Sequence, residues 1–348
     1  MARERIISGE SAGTEEEQVN HALRPRFLSE VVGQKKVIDQ LRIALEAAKA
    51  RGEAVEHVLL DGPPGLGKTT LAHVIANEMN TNVRVTSGPA IGKQSDLMTV
   101  LTNLEPGEIL FIDEIHRLAA TVEEFLYPAM EDFRVDYTLE GGLGGRTINF
   151  KLNRFTMIGA TTRAGLLTAA LRDRFGIHFH LDFYKTDELK TILARSAKML
   201  GVPADNDALQ LMADRSRGTP RVANRLLRRA RDYAQVRNNG QLTVKAAEQA
   251  LDILQVDDLG LDDLDRAYLR TLITIYECGP VGVEAIAAAM GQERDTLEDV
   301  VEPYLLQIGF VLRTRQGRCA SKAACKHMKL PYKPPRDLPD QTPTLFEP

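Results

Sequence analysis

GPPGLGKTT, residues 62–70, is the stretch from which the chain is read. Gly62, Gly65, Gly67, Lys68 and Thr69 fit the spacing G-x-x-x-x-G-K-[ST]. HVLLD (57–61) before it is a short apolar run, the pattern of a buried strand, and the helical pattern continues from Leu71 to Met79. Glycines between a strand and a helix let backbone N–H groups turn inward on phosphates. Lys68 would neutralise the terminal phosphate oxygens, Thr69 would ligate Mg2+, and Thr70 follows it in the first helical turn. The loop predicts that the chain binds ATP, and it leaves open what the energy drives.

Working outward, the alternation of strands and helices predicts an α/β domain with a mostly parallel sheet. VRVT (83–86), EILFIDE (108–114), FTMIGATT (155–162) and IHFHLDF (177–183) read as its further strands. Strand patterns stop after Phe183. Residues 184–256 read as a small all-helical domain, and DDLGLDD (257–263) as an acidic joint. Residues 264–320 give three helical patterns and two short strands around a Gln-Gly turn, a winged-helix pattern, so a DNA-binding head domain is expected over 257–330. The polar, acidic residues 1–20 predict a mobile arm, and the Pro-rich 331–348 a disordered tail. The large ATPase domain is therefore expected over 21–183.

Composition narrows the function classes. No run approaches the ~20 apolar residues of a membrane span, and the N-terminus lacks the apolar core of a secretory signal. Cys278, Cys319 and Cys325 are too scattered for a disulfide framework or a zinc site. These features predict a cytoplasmic protein with reduced thiols. Net charge is −4, yet Pro303 to Arg336 holds eight Lys/Arg and no Asp or Glu. An acidic chain with one basic end suggests a face made for a polyanion.

The catalytic half of the site is expected at FIDE. A buried strand would carry Asp113 to the sheet edge, where it holds Mg2+ through water, and Glu114 would polarise the attacking water. GATTR (159–163) ends the next strand, and Thr161 or Thr162 would hydrogen-bond the γ-phosphate or the water. An arginine that meets developing phosphoryl charge adds greatly to such a site. Arg172 or Arg174, in LRDRFG (171–176), would do this across a subunit interface; Arg221, in RGTPR (217–221), would do it in cis.

Together with ALRPRFLSEVVGQ (22–34), LFIDEIHRL (110–118), LYPAMEDF (126–133), GATTRAG (159–165) and RGTPRVANRLLRRARD (217–232), these pieces resemble the AAA+ ATPases. Within them they resemble the RuvB family of Holliday-junction branch-migration motors, from about residue 20 to about residue 320. The resemblance implies a homohexameric ring with each ATP site between subunits. It implies an adenine pocket lined by Leu23, Arg24 and Tyr184, with Glu131, Asp132 and Phe133 also near the nucleotide. It makes Thr161 or Thr162 the first sensor and Arg221 the second. Arg174, just before Phe175, becomes the arginine finger. It further implies ATP-driven movement of duplex DNA in recombination and repair, a junction-holding partner, RuvA, and RuvC in the resolving complex.

Two stretches support that work from their own residues. In RVDYTLEGGLGGRTINFKL (134–152), Val135, Tyr137 and Leu139 alternate with polar residues, as do Ile148, Phe150 and Leu152. This predicts an inserted β-hairpin with an apolar docking face, which the resemblance makes the RuvA site. In the winged helix, the third helix (293–307) is acidic, whereas Arg313, Arg315 and Arg318 flank the wing turn and Arg294 lies near the helix start. Phosphate contacts position without specifying, so sequence-independent DNA binding is expected. Two rivals stand beside this reading: a AAA+ protein remodeller of the clamp-loader kind, and a DNA-binding regulator switched by nucleotide.

Overall fold

Apolar runs buried along their length form the middle of a parallel sheet. The strands are β1 (Val58–Asp61), β2 (Val83–Ser87), β3 (Ile109–Asp113), β6 (Thr156–Thr161) and β7 (Ile177–His180), in the order β2-β3-β6-β1-β7. The computed structural model describes residues 22–138 and 147–334. One compact unit holds 22–200 with Gly218–Asn224; the other holds Gly201–Arg217 with 225–334. The arm expected over 1–20, all but the first four residues of the tail, and Leu139 with the GGLGG segment lie outside the described residues.

In the first unit β6 is buried at every position, as β1 and β3 are at all but their last. Such strands read as continuous apolar runs because helices cover both faces. Val58, Leu60, Phe111, Ile158 and Ala160 share one core with the helices Lys35–Arg51 and Lys68–Met79. Leu59, Leu110, Ile112 and Met157 share the other with the helix Ala120–Glu131. The parallel register sets Asp61 opposite Thr161 and Ser87 opposite Asp113, so these strands end together at one edge. The chain leaves β1 for β2 beyond β3, while β7 closes the other side of β1. That reversal opens a crevice beyond the strand ends, the usual ligand position in such sheets.

The inserted hairpin pairs β4 (Arg134–Thr138) with β5 (Thr147–Lys151), Val135 opposite Phe150 and Tyr137 opposite Ile148. Its base is not a free docking face. Val135 is fully buried among Leu152, Phe155 and the helix Ala120–Glu131, and Phe150 packs on that core. The expectation that Val135 presents itself to a partner is therefore corrected: it roots the hairpin. Ile148, farther along, is half-exposed.

The second unit contains the helices Asn206–Asp214 and Val244–Ile253, tied by Asp205 N–H donating to Leu242 O at 3.0 Å. A buried ion pair, Arg217 with Asp265 at 3.0 Å, has Tyr304 stacked on the guanidinium at 4.8 Å. The winged helix follows: Asp263–Arg270, Val283–Met290, a segment from Arg294 to Gln307 with one wide turn at Leu297–Val301, then β8 (Val311–Thr314) and β9 (Gly317–Ala320). A further helix, Lys322–His327, was not anticipated; it buries Ala324 and Cys325 in the same core and takes up two of the basic residues of the C-terminal end.

Glu302 holds the wing in place. It is wholly buried and accepts the Tyr268 hydroxyl at 2.8 Å, Arg313 Nη2 at 2.6 Å and Arg318 Nε at 2.9 Å. Removing one partner of such a cluster strands buried charge, at a cost of about 3–5 kcal/mol. Glu302→Ala is expected to lower the unfolding free energy of this unit by about that amount in urea titration; a loss below about 1 kcal/mol would mean that the cluster is structurally idle.

Candidate active site

The phosphate loop leaves β1 at Asp61 and enters the helix Lys68–Met79. Gly62, at φ +136°, passes so near β7's continuation that a Cβ would stand 2.5 Å from the Leu181 carbonyl oxygen, so only glycine fits the turn. Lys68 is buried, and its ammonium donates to the carbonyls of Gly62 at 2.7 Å and Pro63 at 3.0 Å. Burial pushes its pKa down to about 8, against the opposing pull of Asp113, Glu114 and Asp61. Thr69 and Thr70 follow in the first helical turn, both half-buried.

At the same sheet edge β3 ends on Asp113, whose Oδ1 accepts the Glu114 N–H at 3.0 Å. Glu114 has left-handed backbone geometry, φ +49°, which breaks the strand there. Its Oε2 lies 3.3 Å from His116 Nε2, and His116 Nδ1 lies 2.8 Å from Thr161 Oγ1 at the end of β6. Thr161 also accepts the Arg163 N–H at 3.0 Å. The hydroxyl of Thr162 is shielded from solvent and has no hydrogen-bond partner among the described residues. His116 was missed in the sequence reading. A histidine two residues past an Asp-Glu pair carries no spacing signal of its own; the short helical turn Ile115–Arg117 folds it back onto β6.

Among the described residues no group of three or more His, Cys, Asp or Glu forms a metal site. One hydroxyl, Thr69, and one carboxylate, Asp113, are instead a donor set that fits Mg2+, which keeps several waters and shares substrate phosphates.

Tyr184 closes the other side of the loop. Its hydroxyl donates to Leu66 O at 3.2 Å, its N–H donates to Gly218 O at 2.8 Å, and burial pushes its pKa up to about 12. Its ring lies over Gly33, where a Cβ would come within 2.8 Å. Leu23 is buried, and Arg195 holds its carbonyl at 2.6 Å; Arg24 is half-buried. Arg221, in the first turn of Pro220–Arg237, donates its N–H to Gly65 O at 3.4 Å, and its Cβ packs against Gly65.

Glu131, Asp132, Phe133 and Arg174 sit elsewhere. Phe133 packs on His57 and Phe155, the residues just before β1 and β6, and His57 contacts Met130 O at 3.1 Å. This is the amino-terminal edge of the sheet, about 13 Å along a four-residue strand from the edge that holds the phosphate loop. Asp132 pairs with Arg134 at 3.2 Å. Arg174, just before β7, lies over the Tyr127 ring at 4.1 Å, pairs with Glu131 at 3.2 Å and donates to Ala170 O at 2.5 Å. Arg172 is exposed beside it. Strand polarity thus puts Glu131, Asp132 and Phe133 at the edge opposite this chain's own phosphate loop, together with Arg174.

The wing also differs from the expectation. Arg318 is committed to Glu302 and to Glu298 at 2.6 Å, Arg313 to Glu302, and Arg294 to Glu298 at 3.2 Å and Glu284 at 2.8 Å. Burial disfavours the Glu298 carboxylate, but hydrogen bonds from Arg294 and Arg318 outweigh it and hold its pKa below the usual value. The acidic third helix and the basic wing therefore neutralise one another. Arg315, at the turn, is exposed.

Three family models match in sequence: the Holliday junction DNA helicase RuvB P-loop domain over residues 23–181, the RuvB AAA lid domain over 184–257, and the RuvB C-terminal winged helix domain over 258–329. The Holliday junction branch migration complex subunit RuvB of Dehalococcoides mccartyi is 56% identical over 330 residues, 95% of this chain and 94% of that protein. Its namesake from Chloroflexus aggregans is 52% identical over 339 residues, 97% of this chain and 96% of that one. The solved Thermotoga maritima RuvB Holliday junction branch migration motor superposes with a TM-score of 0.83 at 50% identity, covering 90% of this chain and 100% of that one. Among the described residues no helix is long and apolar enough to cross a membrane.

Lys68 generates a pH prediction. With a pKa near 8 in the free protein, it is largely deprotonated above that pH. Phosphate oxygens beside it would restore the charged form and return its pKa toward about 10.4. ATP binding at about pH 9 is therefore expected to take up a proton, whereas binding well below pH 8 should take up none through this group. Calorimetry in buffers of different ionisation enthalpy measures the uptake, and Lys68→Arg should abolish it. Zero uptake by the unaltered protein at the higher pH would contradict the assignment.

Proposed function

Since this chain belongs to the RuvB family, we propose that it is an ATP-driven motor that moves duplex DNA to migrate the branch point of Holliday junctions. The observation that carries the reading is the separation of two halves of an ATPase site across one sheet. The phosphate loop, Asp113, Glu114, Thr162 and Arg221 gather at the carboxyl edge; Arg174 stands at the amino edge, out of reach of its own loop. Such a chain hydrolyses ATP only when a neighbour contributes the arginine, which supports a closed ring, a homohexamer by family membership.

In this reading Lys68 and the loop N–H groups hold the β- and γ-phosphates. Glu114 takes a proton from water as its oxygen attacks the γ-phosphorus; the bond to the ADP oxygen breaks, releasing ADP and phosphate. Mg2+, when bound, neutralises charge on the phosphate oxygens, with Thr69 and Asp113 holding it. Thr162 supplies the hydroxyl that meets the γ-phosphate, since Thr161 already serves His116. Arg221 reads the same phosphate in cis, while the neighbour's Arg174 stabilises charge in the transition state. Leu23, Arg24 and Tyr184 hold adenine. Glu131, Asp132 and Phe133 border the neighbour's nucleotide. Residues 21–183 are thereby the ATPase domain, 184–256 the lid and 257–330 the DNA-binding head.

The hairpin 134–152 is the docking element for RuvA, with Tyr137, Ile148 and Phe150 as its contact residues. RuvC joins in the resolving complex. On the wing Arg315 makes the principal phosphate contact; Arg313 and Arg294 add to it while shared with carboxylates, and Arg318 holds the wing to the helix.

Dissociation of a synthetic four-way junction tests this. Activity is expected to need ATP and Lys68 and to rise sharply with RuvA. Ile148→Asp should remove the RuvA stimulation and leave basal ATP turnover intact. Arg315→Ala should weaken DNA binding uniformly across sequences and reduce the salt slope by about 1. Steady ATP turnover with junction binding but no branch movement would instead favour a protein client.

A further inference from the structure

His116 occupies a position that neither the phosphate loop nor the strand motifs account for. Its side chain is 5% exposed, and its two ring nitrogens face two different parts of the reaction centre. Nε2 stands 3.3 Å from Glu114 Oε2, and Nδ1 stands 2.8 Å from Thr161 Oγ1. Thr161 is itself wholly buried at the end of β6 and accepts the backbone N–H of Arg163 at 3.0 Å. Arg163 N–H donates to the Thr161 oxygen at 3.0 Å, the Thr161 hydroxyl and Nδ1 share one hydrogen bond, and Nε2 faces the carboxylate at ion-pair distance. A second contact on the far ring nitrogen orients a histidine toward its first partner.

We propose that His116 is a positioning residue that links the end of β6 to Glu114, so that the carboxylate is aimed at the attacking water only while the Thr161–Thr162 segment is correctly placed. The proposal rests on the reading of Glu114 as the group that accepts the water's proton. Glu114 needs such support because it stands outside the strand, in left-handed backbone geometry, with its side chain 34% exposed. The contacts such a carboxylate makes select its rotamer, and each departure from the reactive one costs rate. Thr162, next in the chain, carries a hydroxyl without a hydrogen-bond partner among the described residues. A γ-phosphate that engages Thr162 shifts the same strand end that Thr161 anchors, and the imidazole carries that shift to Glu114.

Two substitutions divide the link. The amide of His116→Gln extends far enough to reach Glu114 in place of Nε2 but no longer meets Thr161. The amide of His116→Asn stands where Nδ1 does and keeps Thr161 but falls short of Glu114. If the link matters as a whole, both variants lose roughly ten- to hundredfold in kcat, while KM and the affinity for a fluorescent ATP analogue, measured by direct titration without turnover, change less than about twofold. In a Glu114→Gln background neither substitution should cause a further loss, because the histidine acts through that carboxylate. Thr161→Val, which breaks the same chain at its other end, gives an independent variant should the histidine variants unfold, and it is expected to match His116→Gln. Full kcat in either histidine variant, losses that add to that of Glu114→Gln, or analogue affinity falling in step with kcat would each overturn the proposal. The role of Glu114 as proton acceptor has its own control. If the unaltered protein shows no ATP turnover dependent on Lys68 and Glu114, that reading fails; if turnover depends on those two but not on His116, only the link fails.

Discussion

Parallel strands all point one way, and the rest of this molecule depends on that polarity. Register between β1 and β6 brings Asp61 level with Thr161, and register between β2 and β3 brings Ser87 level with Asp113. Loops leaving these ends converge on one edge and bring with them the lysine, the two carboxylates and the threonines. The same polarity sends residues that precede the strands to the other edge. Phe133 packs beneath β1 and β6, and Arg174 enters β7 there. Within one chain a sheet buried on both faces lies between the two edges. The proposed site, which needs both edges, would be completed by a second copy.

Arg174 is held by two residues of one helix. The Tyr127 ring and Glu131 lie four residues apart on one helix, so both present to the same guanidinium, one by its face and one by its carboxylate. Tyr127 is in turn fixed by its hydroxyl donating to Glu123 at 2.8 Å. In the proposed role as finger, an arginine with conformers already restricted would lose less on ordering.

Much of this was legible in the residues. The strand–loop–helix frame follows from GPPGLGKTT and its flanks because glycine spacing and apolar runs are local signals. The paired carboxylates at the end of β3 were legible for the same reason. What was not legible depends on partners distant in sequence. Charge along the wing, read as a string, suggested four cations free for phosphate. In the fold Glu298 and Glu302 take three of them, since a hairpin packed on a helix brings opposite charges into contact. The alternation of Val135 and Tyr137 gave the strand but not that its first apolar residue belongs to the core. His116 was invisible because its meaning lies in β6, 45 residues along the chain.

The central claim, that one ATP site is built from two chains, has a direct measurement. Lys68→Ala removes the phosphate-holding half and Arg174→Ala the finger half, so each variant alone should be inactive in ATP turnover. Mixed in equal parts and allowed to assemble, they should recover about a quarter of the unaltered activity, because random neighbours restore an intact loop facing an intact arginine at about that frequency. No recovery in mixtures shown to contain both variants within one ring would contradict the account and return Arg174 to a structural role.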